Sequence, residues 1–327
     1  MKKMKTKKMK KIEKVKVKKA VFVKPAQKVN PNALHSEYMA LWQCFNPSGS
    51  LKAVKKIVKS KLKEINRPFK CDDLGNIYIG DFDASKPCIV AHLDSVHTKK
   101  SIVFTKHGHK LSSDNGIGGD DKCGIIAVFE SLKKCDVNAV FFIDEEIGCI
   151  GSGRCDKAIF KNVMYFIEVD RRGCTDVIDN LAYPSSVSDD FAGAMLPLIT
   201  AHDFKFENGS YTDLSEILPE VKIAGINLCA GYYNAHTSSE YVMLDELADS
   251  ITYCIDLFNT VRKQFKIEVN EIDYYGYGSA SYPRISMDAR SIHDVCREAE
   301  ETYFTKEITD LIMEAYEIGM DEGIGLI

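Results

Sequence analysis

The sequence predicts an α/β fold: a mixed, mostly parallel sheet with helices on both faces. Short β-rich runs alternate with amphipathic helical segments along the middle of the chain, which is the order that builds such a sheet. Hydrophobic residues make up 45% of the chain and aromatic residues 10%, which suits a protein with a sizeable core. At 327 residues, one large α/β domain with additional segments is expected.

The elements follow one another in a regular order. Apolar residues at helical spacing predict a first helix over residues 50–65, with Ser50 positioned to cap it. Runs bounded by Gly, Pro or Asp predict strands over 75–81, 86–94, 138–146 and 162–170. Helical spacing predicts further helices over 124–134, 151–159, 189–203 and 242–265.

Charge and composition suggest three segments. Residues 1–31 are predicted to be a basic, disordered arm, residues 32–265 the main domain, and residues 266–327 a loop and helices without evident chemistry. Residues 1–19 carry a net charge of +10, which leaves -14 for the rest of a chain whose net charge is -4. A solvated tail is the commoner meaning of such a block, and binding to nucleic acid or an anionic surface is the alternative.

The cysteines and the absence of long apolar runs bear on location. No run reaches the roughly 18 to 20 apolar residues of a membrane span, and the lysine-rich start is not followed by the apolar segment of a secretion signal. The 11 cysteines contain no CxxC pair, so we expect free thiols in a reducing compartment. The expected location is the cytoplasm.

Histidines and carboxylates stand where predicted strands end, which is where open α/β sheets bind ligands. His92 ends an apolar run, and Asp94 follows two residues later. Such a pair can be purely structural, or it can be a metal ligand with a carboxylate that orients the imidazole. The sequence GGDDKCG, residues 118–124, places Asp120 and Asp121 side by side between glycines, which a turn or the acidic start of a helix also explains.

Three further stretches carry the same residue types. Asp144, Glu145 and Glu146 are consecutive acids at a strand end, where they repel one another unless cations or protons intervene. Glu168 and Asp170 share one face of a strand, with an ion pair to a following arginine as the alternative. His236 lies in a polar loop. Two histidines and several carboxylates suit two divalent ions of the zinc kind bridged by one carboxylate, for which Asp120 is the candidate.

These stretches resemble the di-zinc exopeptidase superfamily that includes peptidase T and the single-domain zinc aminopeptidases. The matching sequences, in family order, are HLD, GGDDKCG, DEEIGCIGS, EVD and GYYNAHTSSEYV, and the resemblance extends over residues 38–263. It implies the following ligands of two metal ions, with zinc expected and cobalt or manganese as alternatives: His92, Asp120 and Asp170 for one ion, and Asp120, Glu146 and His236 for the other.

The resemblance also implies roles beyond the ligands. Glu145 resembles the general base that takes a proton from a shared water and returns it to the leaving amine. Asp94 would orient His92, and a cis peptide bond is expected between Asp120 and Asp121. Asp213 is similar to an aspartate that relatives place near the substrate, although Thr212 or Asp213 would equally cap a helix. Tyr233 is a second candidate substrate contact.

The chain departs from peptidase T in one respect. Only 66 positions separate Asp170 from His236, which leaves no room for the inserted lid and dimerisation domain of those relatives. The resemblance therefore implies a metallo-aminopeptidase with a single catalytic domain that acts on short peptides. A related amide hydrolase or deacylase, and a one-zinc glutaminyl cyclase-like enzyme, are the alternatives within the fold. A binding protein that uses its basic arm is the alternative outside it.

Overall fold

The computed structural model describes residues 27–181 and 185–268. Most of the predicted basic arm and the segment from residue 269 onward lie outside the described residues, so the three predicted segments stay predictions. In the described part of the chain, no helix has both the length and the apolar character needed to cross a bilayer.

Twelve strands of the described residues form two sheets. The strands are β1 Phe69–Cys71, β2 Ile77–Ile79, β3 Cys88–His92, β4 Phe104–His107, β5 Lys110–Ser113, β6 Asn138–Phe142, β7 Phe166–Arg171, β8 Asp176–Asn180, β9 Lys205–Asn208, β10 Gly225–Cys229, β11 Tyr232–Tyr233 and β12 Tyr241–Met243. The larger sheet has eight strands in the order β1-β2-β6-β3-β7-β10-β8-β9. The smaller sheet has four strands in the order β11-β12-β5-β4.

The centre of the larger sheet is parallel. Strands β6, β3, β7 and β10 run in the same direction, with β3 paired to β6 on one side and to β7 on the other. Every residue of β3, β6 and β10 is buried, as expected for parallel strands covered on both faces. Antiparallel pairing joins β2 to β6 and β8 to β10. The predicted mixed, mostly parallel α/β sheet is confirmed.

Helices pack against this sheet. The helices are α1 Pro31–Ser36, α2 Met39–Trp42, α3 Lys52–Glu64, α4 Gly119–Lys134, α5 Ile150–Arg154, a 3₁₀ helix Lys157–Phe160, α6 Asp189–Ala201, α7 Asp213–Val221 and α8 Leu244–Thr260. Helix α4 contacts β3 and β7, and α8 contacts β10. The prediction that Ser50 caps α3 is wrong, because Leu51 occupies the cap position and no side chain there bonds to the helix.

The smaller sheet positions one loop of the site. Strands β11 and β12 form an antiparallel hairpin, with Tyr232 opposite Val242 and Tyr233 opposite Tyr241. Strand β5 continues this sheet beside β12. The loop between β11 and β12 holds residues 234–240, and the hairpin therefore fixes both ends of the segment that carries His236.

Candidate metal centre

Three central, parallel strands bring the predicted residues together at their carboxyl-terminal ends. His92 is the last residue of β3, Asp170 is the next to last of β7, and Glu145 and Glu146 follow the end of β6. Because β3 lies between β6 and β7 and all three are parallel, their carboxyl ends meet. The fold therefore explains why residues far apart in the sequence lie close together.

Asp120 lies at the middle of the cluster, between the two histidines. Its Oδ1 is 3.1 Å from His92 Nε2, and its Oδ2 is 3.1 Å from His236 Nε2. His92 Nε2 is also 3.8 Å from Asp170 Oδ2, and His236 Nε2 is 3.1 Å from Glu146 Oε2. All five residues that were predicted as ligands are thus in one cluster, with one Asp120 oxygen directed to each histidine.

The GGDDKCG sequence forms a break before the regular part of α4. Gly118 has a positive φ of 64°, and Asp120 and Asp121 have non-helical backbone angles. The peptide bond between Asp120 and Asp121 is cis, as the resemblance implies. The two neighbouring carboxylates have different partners: Asp120 contacts the two histidine rings, and Asp121 accepts backbone amides.

Asp121 anchors the backbone around the cluster. Its Oδ2 accepts a hydrogen bond from the His92 amide at 3.0 Å, and its Oδ1 accepts one from the Gly124 amide at 2.8 Å. A Cβ atom at position 124 would collide with the Asp121 carboxylate, so glycine is required there. Asp121 therefore ties the start of α4 to the end of β3.

Lys122 stabilises the GGDDKCG segment through two hydrogen bonds to backbone carbonyl groups. Its buried ammonium donates to the carbonyl oxygens of Ile117 at 2.8 Å and Trp42 at 3.2 Å. Burial lowers the pKa of Lys122 to about 8. The lysine of this sequence thus satisfies two backbone acceptors.

Asp94 connects His92 to the turn that carries the two glutamates. Its Oδ1 is 3.3 Å from His92 Nδ1 and accepts the Glu145 amide at 2.9 Å. Its Oδ2 accepts the Glu146 amide at 3.2 Å and the Ser48 hydroxyl at 2.7 Å. Burial opposes ionisation, but these bonds and the His92 ring lower the pKa of Asp94 below its usual value. Asp94 lies beside the His92 imidazole, and its role in orienting that ring stays a prediction.

The cluster contains more carboxylates than histidines, so the carboxylates repel one another and the pKa values of several of them rise. Burial and the nearby Asp120 charge raise the pKa of Glu146 to about 8. Burial and the charges of Asp120 and Asp121 raise the pKa of Asp170 well above its usual value. Burial likewise raises the pKa of Glu145. Buried carboxylates that repel one another in this way favour a bound cation or a proton.

The two histidines favour their charged form, whereas several of the carboxylates around them favour the neutral form. Burial disfavours the charged imidazole of His92, but hydrogen bonds to Asp120 and Asp94 outweigh it and raise the pKa of His92 well above its usual value. The hydrogen bond to Asp120 and the charge of Glu146 raise the pKa of His236 to about 9, although burial acts against them. Both rings therefore lie in a strongly negative environment.

The donor set fits divalent cations. Two groups have ligand atoms within 4.8 Å of one another: His92 with Asp121 and Asp170, and His92 with Asp120 and Glu146. Because both Asp121 oxygens already accept backbone hydrogen bonds, Asp120 is the better ligand of the adjacent pair. Glu146 Oε1 is buried without a hydrogen-bond partner among the described residues, as expected of an oxygen that awaits a cation. Imidazole and carboxylate donors suit zinc and related ions.

The two predicted substrate contacts, Asp213 and Tyr233, each form a hydrogen bond with a residue outside the proposed ligand set. Asp213 is buried and accepts a hydrogen bond from the Ser152 hydroxyl at 2.6 Å, and burial with the Glu145 charge raises its pKa to about 8. Thr212 caps helix α7, the structural alternative named for this pair. Tyr233 donates its hydroxyl to Glu246 Oε2 at 2.6 Å. A substrate role for Asp213 or Tyr233 stays a prediction.

Glu240 is the main residue of this region that sequence reasoning missed. It is fully buried, and its carboxylate accepts the Gly118 amide at 2.7 Å and the Asp120 amide at 3.1 Å. His97 Nε2 is 2.6 Å from Glu240 Oε2, the oxygen that also accepts the Gly118 amide. The only signal in the sequence is a charged residue directly before a short strand, which does not reveal a partner so distant in the chain.

The fold is that of known aminopeptidases and tripeptidases. Aminopeptidase PepT from Bacillus cereus is 14% identical and has a TM-score of 0.60, covering 72% of this chain and 100% of its own. A tripeptidase from Staphylococcus aureus is 13% identical with a TM-score of 0.60, covering 71% and 98%. An aminopeptidase from the archaeon Desulfurococcus kamchatkensis is 13% identical with a TM-score of 0.56, covering 71% and 96%.

These similarities concern the fold of the described domain. No protein-family model matches the sequence, and no curated protein does so either. The peptidase fold predicted from the resemblance is confirmed by the structural neighbours. The activity is argued below from the site.

Proposed function

We propose that this protein is a metal-dependent exopeptidase that removes N-terminal residues from short peptides. One observation carries the proposal: the two oxygens of Asp120 are directed to His92 and His236 on opposite sides, with a further carboxylate beside each histidine. This is the arrangement expected of a carboxylate that bridges two cations. The fold shared with aminopeptidases supports the reaction class.

His92 and Asp170 would hold one ion and Glu146 and His236 the other, with Asp120 shared between them. Two divalent ions at such a site activate a water molecule and polarise the carbonyl of the scissile bond. Zinc is proposed, with cobalt and manganese as alternatives. Asp94, whose Oδ1 lies 3.3 Å from His92 Nδ1, would keep the His92 ring in place with Nε2 directed toward the cluster.

Glu145 is proposed as the general base. Its amide is fixed by Asp94, and its neighbour Glu146 is directed to His236, which leaves the Glu145 carboxylate outside the proposed ligand set. Burial raises its pKa, which brings the group closer to the range in which a carboxylate can both take and return a proton. Glu145 would accept the proton of the attacking water and deliver it to the leaving amine.

A substrate with a free amino terminus fits this environment. The cluster is rich in buried carboxylates, and the sequence after residue 19 carries a net charge of -14. A cationic amine is therefore attracted to the site. The test is a peptide library with free, acetylated and amidated ends. Acetylation of the amine should abolish turnover, and amidation of the other end should leave it. The reverse pattern would identify a carboxypeptidase.

The alternatives within the fold make different predictions. A deacylase would hydrolyse acylated amines, which the same library contains. A one-zinc cyclase would release a cyclised amino end instead of a free residue, and mass spectrometry separates these products. A binding protein that uses residues 1–19 would keep its affinity for polyanions without hydrolysing any peptide. Deletion of these residues should weaken binding to polyanions and leave hydrolysis intact.

The thiols support a cytoplasmic location as part of this proposal. The cysteines of the described residues are all free, and most are buried. Proteins of oxidising compartments commonly pair such residues, whereas reducing compartments keep them as thiols. Localisation of a tagged full-length chain tests this point.

A further inference from the structure

A lysine-lined groove opens beside the candidate metal centre. It has a volume of about 880 Å³, and one helix, α3, contributes the following basic residues to its wall: Lys52, Lys55, Lys56, Lys59 and Lys63. Their spacing of three or four residues places them along one side of the helix. None of the five has an ion-pair partner within residues 27–181 and 185–268, although the body of the protein is acidic.

The groove lies next to the turn that carries Glu145 and Glu146. Asp144 lines the groove and directly precedes Glu145. The amide of Gly49, another lining residue, donates to Asp144 Oδ1 at 2.7 Å. The adjacent Ser48 hydroxyl donates to Asp94, which holds the amides of both glutamates. Residues 48 and 49, which lead into α3, therefore connect the groove to Asp94, the residue that binds the turn carrying Glu145 and Glu146.

Resting on the proposed function, we propose that this groove binds the downstream part of a peptide substrate and selects peptides that carry acidic side chains there. The carboxylate cluster takes the amino end, and the lysines of α3 take carboxylates further along the same peptide. The two ends of the site thus have opposite charge and fix the direction in which a peptide lies.

The dimensions agree with this assignment. From Lys52 to Lys63 the helix rises about 16 Å, at about 1.5 Å per residue. An extended peptide covers this length with about five residues, at about 3.3 Å each. Acidic side chains from about the third residue onward would therefore meet lysines on successive turns of α3.

A peptide fits the groove better than a nucleic acid. The described residues that line it include Leu51, Leu74 and Ile143 but no aromatic side chain on which bases would stack. The basic residues are all lysines, so the bidentate contacts that arginine makes to phosphate are missing. The hydrogen bond from Ser48, next to the lining residue Gly49, to Asp94 connects the groove to the proposed peptidase site.

The test compares two amidated heptapeptides with a free amino end, one with Glu at the third and fifth positions and one with Gln. Amidation removes the terminal carboxylate as a variable. In the wild-type full chain, kcat/KM for the Glu peptide should exceed that for the Gln peptide about tenfold at low salt, since each exposed charge pair contributes about two- to fivefold. This ratio should fall toward one as salt screens the charges.

Lysine substitutions test whether the preference for the Glu peptide depends on α3. The combined change Lys52→Gln, Lys55→Gln and Lys59→Gln should remove the preference, so that the ratio of kcat/KM between the Glu and Gln peptides falls to about one. Lys134→Gln with Lys161→Gln removes charge elsewhere on the surface and should keep the preference. The basic arm is present in every variant, so it cannot cause a difference between them. A preference that survives the α3 changes would overturn the proposal.

A binding measurement separates this proposal from the proposed function. Fluorescence anisotropy with labelled forms of both peptides gives Kd without turnover. Tighter binding of the Glu peptide that depends on the α3 lysines, without hydrolysis of either peptide, would support the groove and refute the exopeptidase. Equal hydrolysis and equal binding of both peptides would refute the groove alone. An oligonucleotide that binds through these lysines and displaces the Glu peptide would assign the groove to nucleic acid and overturn the proposal.

Discussion

The buried carboxylate of Glu240 accepts the amide hydrogen of Asp120 at 3.1 Å, although the two residues are 120 positions apart in the sequence. The same carboxylate accepts the Gly118 amide at 2.7 Å. The hairpin β11–β12 thus fixes the backbone from which the central carboxylate of the cluster projects. The two parts of the site, one from α4 and one from the smaller sheet, are joined by this residue.

Glu240→Gln should therefore loosen the metal centre without removing a proposed ligand. An amide nitrogen cannot accept the hydrogen bond that a carboxylate oxygen accepts, so one buried donor loses its partner. The free energy of unfolding should fall by about 1 to 3 kcal/mol. Metal affinity should fall about 10- to 100-fold, as for other residues that position ligands. Denaturant unfolding and metal titration measure the two effects, with Glu220→Gln on the surface as the control. Unchanged metal affinity would show that Glu240 is only structural.

Two divalent ions should bind per chain. Elemental analysis after metal loading and removal of excess ion should give a stoichiometry near two. His92→Ala and His236→Ala should each lower it by about one, because each histidine is proposed to serve a different ion. His107→Ala, an exposed histidine of β4, is the matched control and should leave the stoichiometry unchanged. A value near zero for the wild type would contradict the enzyme assignment.

Glu145 and Glu146 should behave differently despite identical chemistry. Glu146→Gln should reduce both metal content and turnover, because Glu146 Oε2 faces His236 at 3.1 Å. Glu145→Gln should keep the metals and lower the rate by about 10²- to 10⁴-fold, which is the usual contribution of a general base. Metal content and kcat measured on both variants decide between the roles. Equal metal loss would mean that both are ligands, and a metal-replete Glu145→Gln enzyme with normal turnover would exclude Glu145.

The metal-free protein should lose stability as the pH rises from about 4.5 to about 9. The folded pKa of Glu146 is about 8 against an ordinary value of 4.5, and that of His236 is about 9 against 6.5. Both groups bind protons more tightly in the folded chain, so their stabilising contribution is full below the ordinary values and is lost as the pH passes through the folded ones. Thermal unfolding across this range checks the slope.

Added divalent metal should reverse this trend. Ligands bind the ion in their deprotonated form, so metal binding should release protons and raise Tm more at pH 8 than at pH 6. Calorimetric titrations in buffers of different ionisation enthalpy count these protons. Glu146→Gln removes one of the groups with a raised pKa and should flatten the pH dependence of the metal-free protein. A slope equal to that of the wild type would show that other groups cause it.

Local sequence was sufficient for three of the four strands of the parallel centre, β3, β6 and β7. His92, the acids 144–146 and Asp170 stand at or just beyond the ends of these strands, and the rule that ligands lie there placed these residues together. Asp120, at the distorted start of α4, was a candidate bridge from its residue type, whereas the assignment of His236 to a particular ion came from the resemblance. Their approach to one another required the three-dimensional structure.

The smaller sheet and β10 were not predicted, for different reasons. Strands β4, β5, β11 and β12 have two to four residues each and are partly exposed, so they carry little alternation of apolar and polar residues. Strand β10 is buried throughout, but its sequence GINLC is short and is interrupted by the polar Asn227, so it does not distinguish a strand from a buried helix segment. The role of Glu240 depends on this smaller sheet, which is why sequence reasoning missed it.

The order of the site residues along the chain has a consequence for biosynthesis. Asp94, Asp120 and Asp170 emerge from the ribosome before His236 and Glu240, and β12 closes the smaller sheet only afterwards. A nascent chain that ends before residue 236 has the carboxylates but lacks His236 and also lacks Glu240, which accepts the Asp120 amide. The proposed hydrolytic activity would thus arise only once translation has passed β12, and fragments that end earlier should lack it.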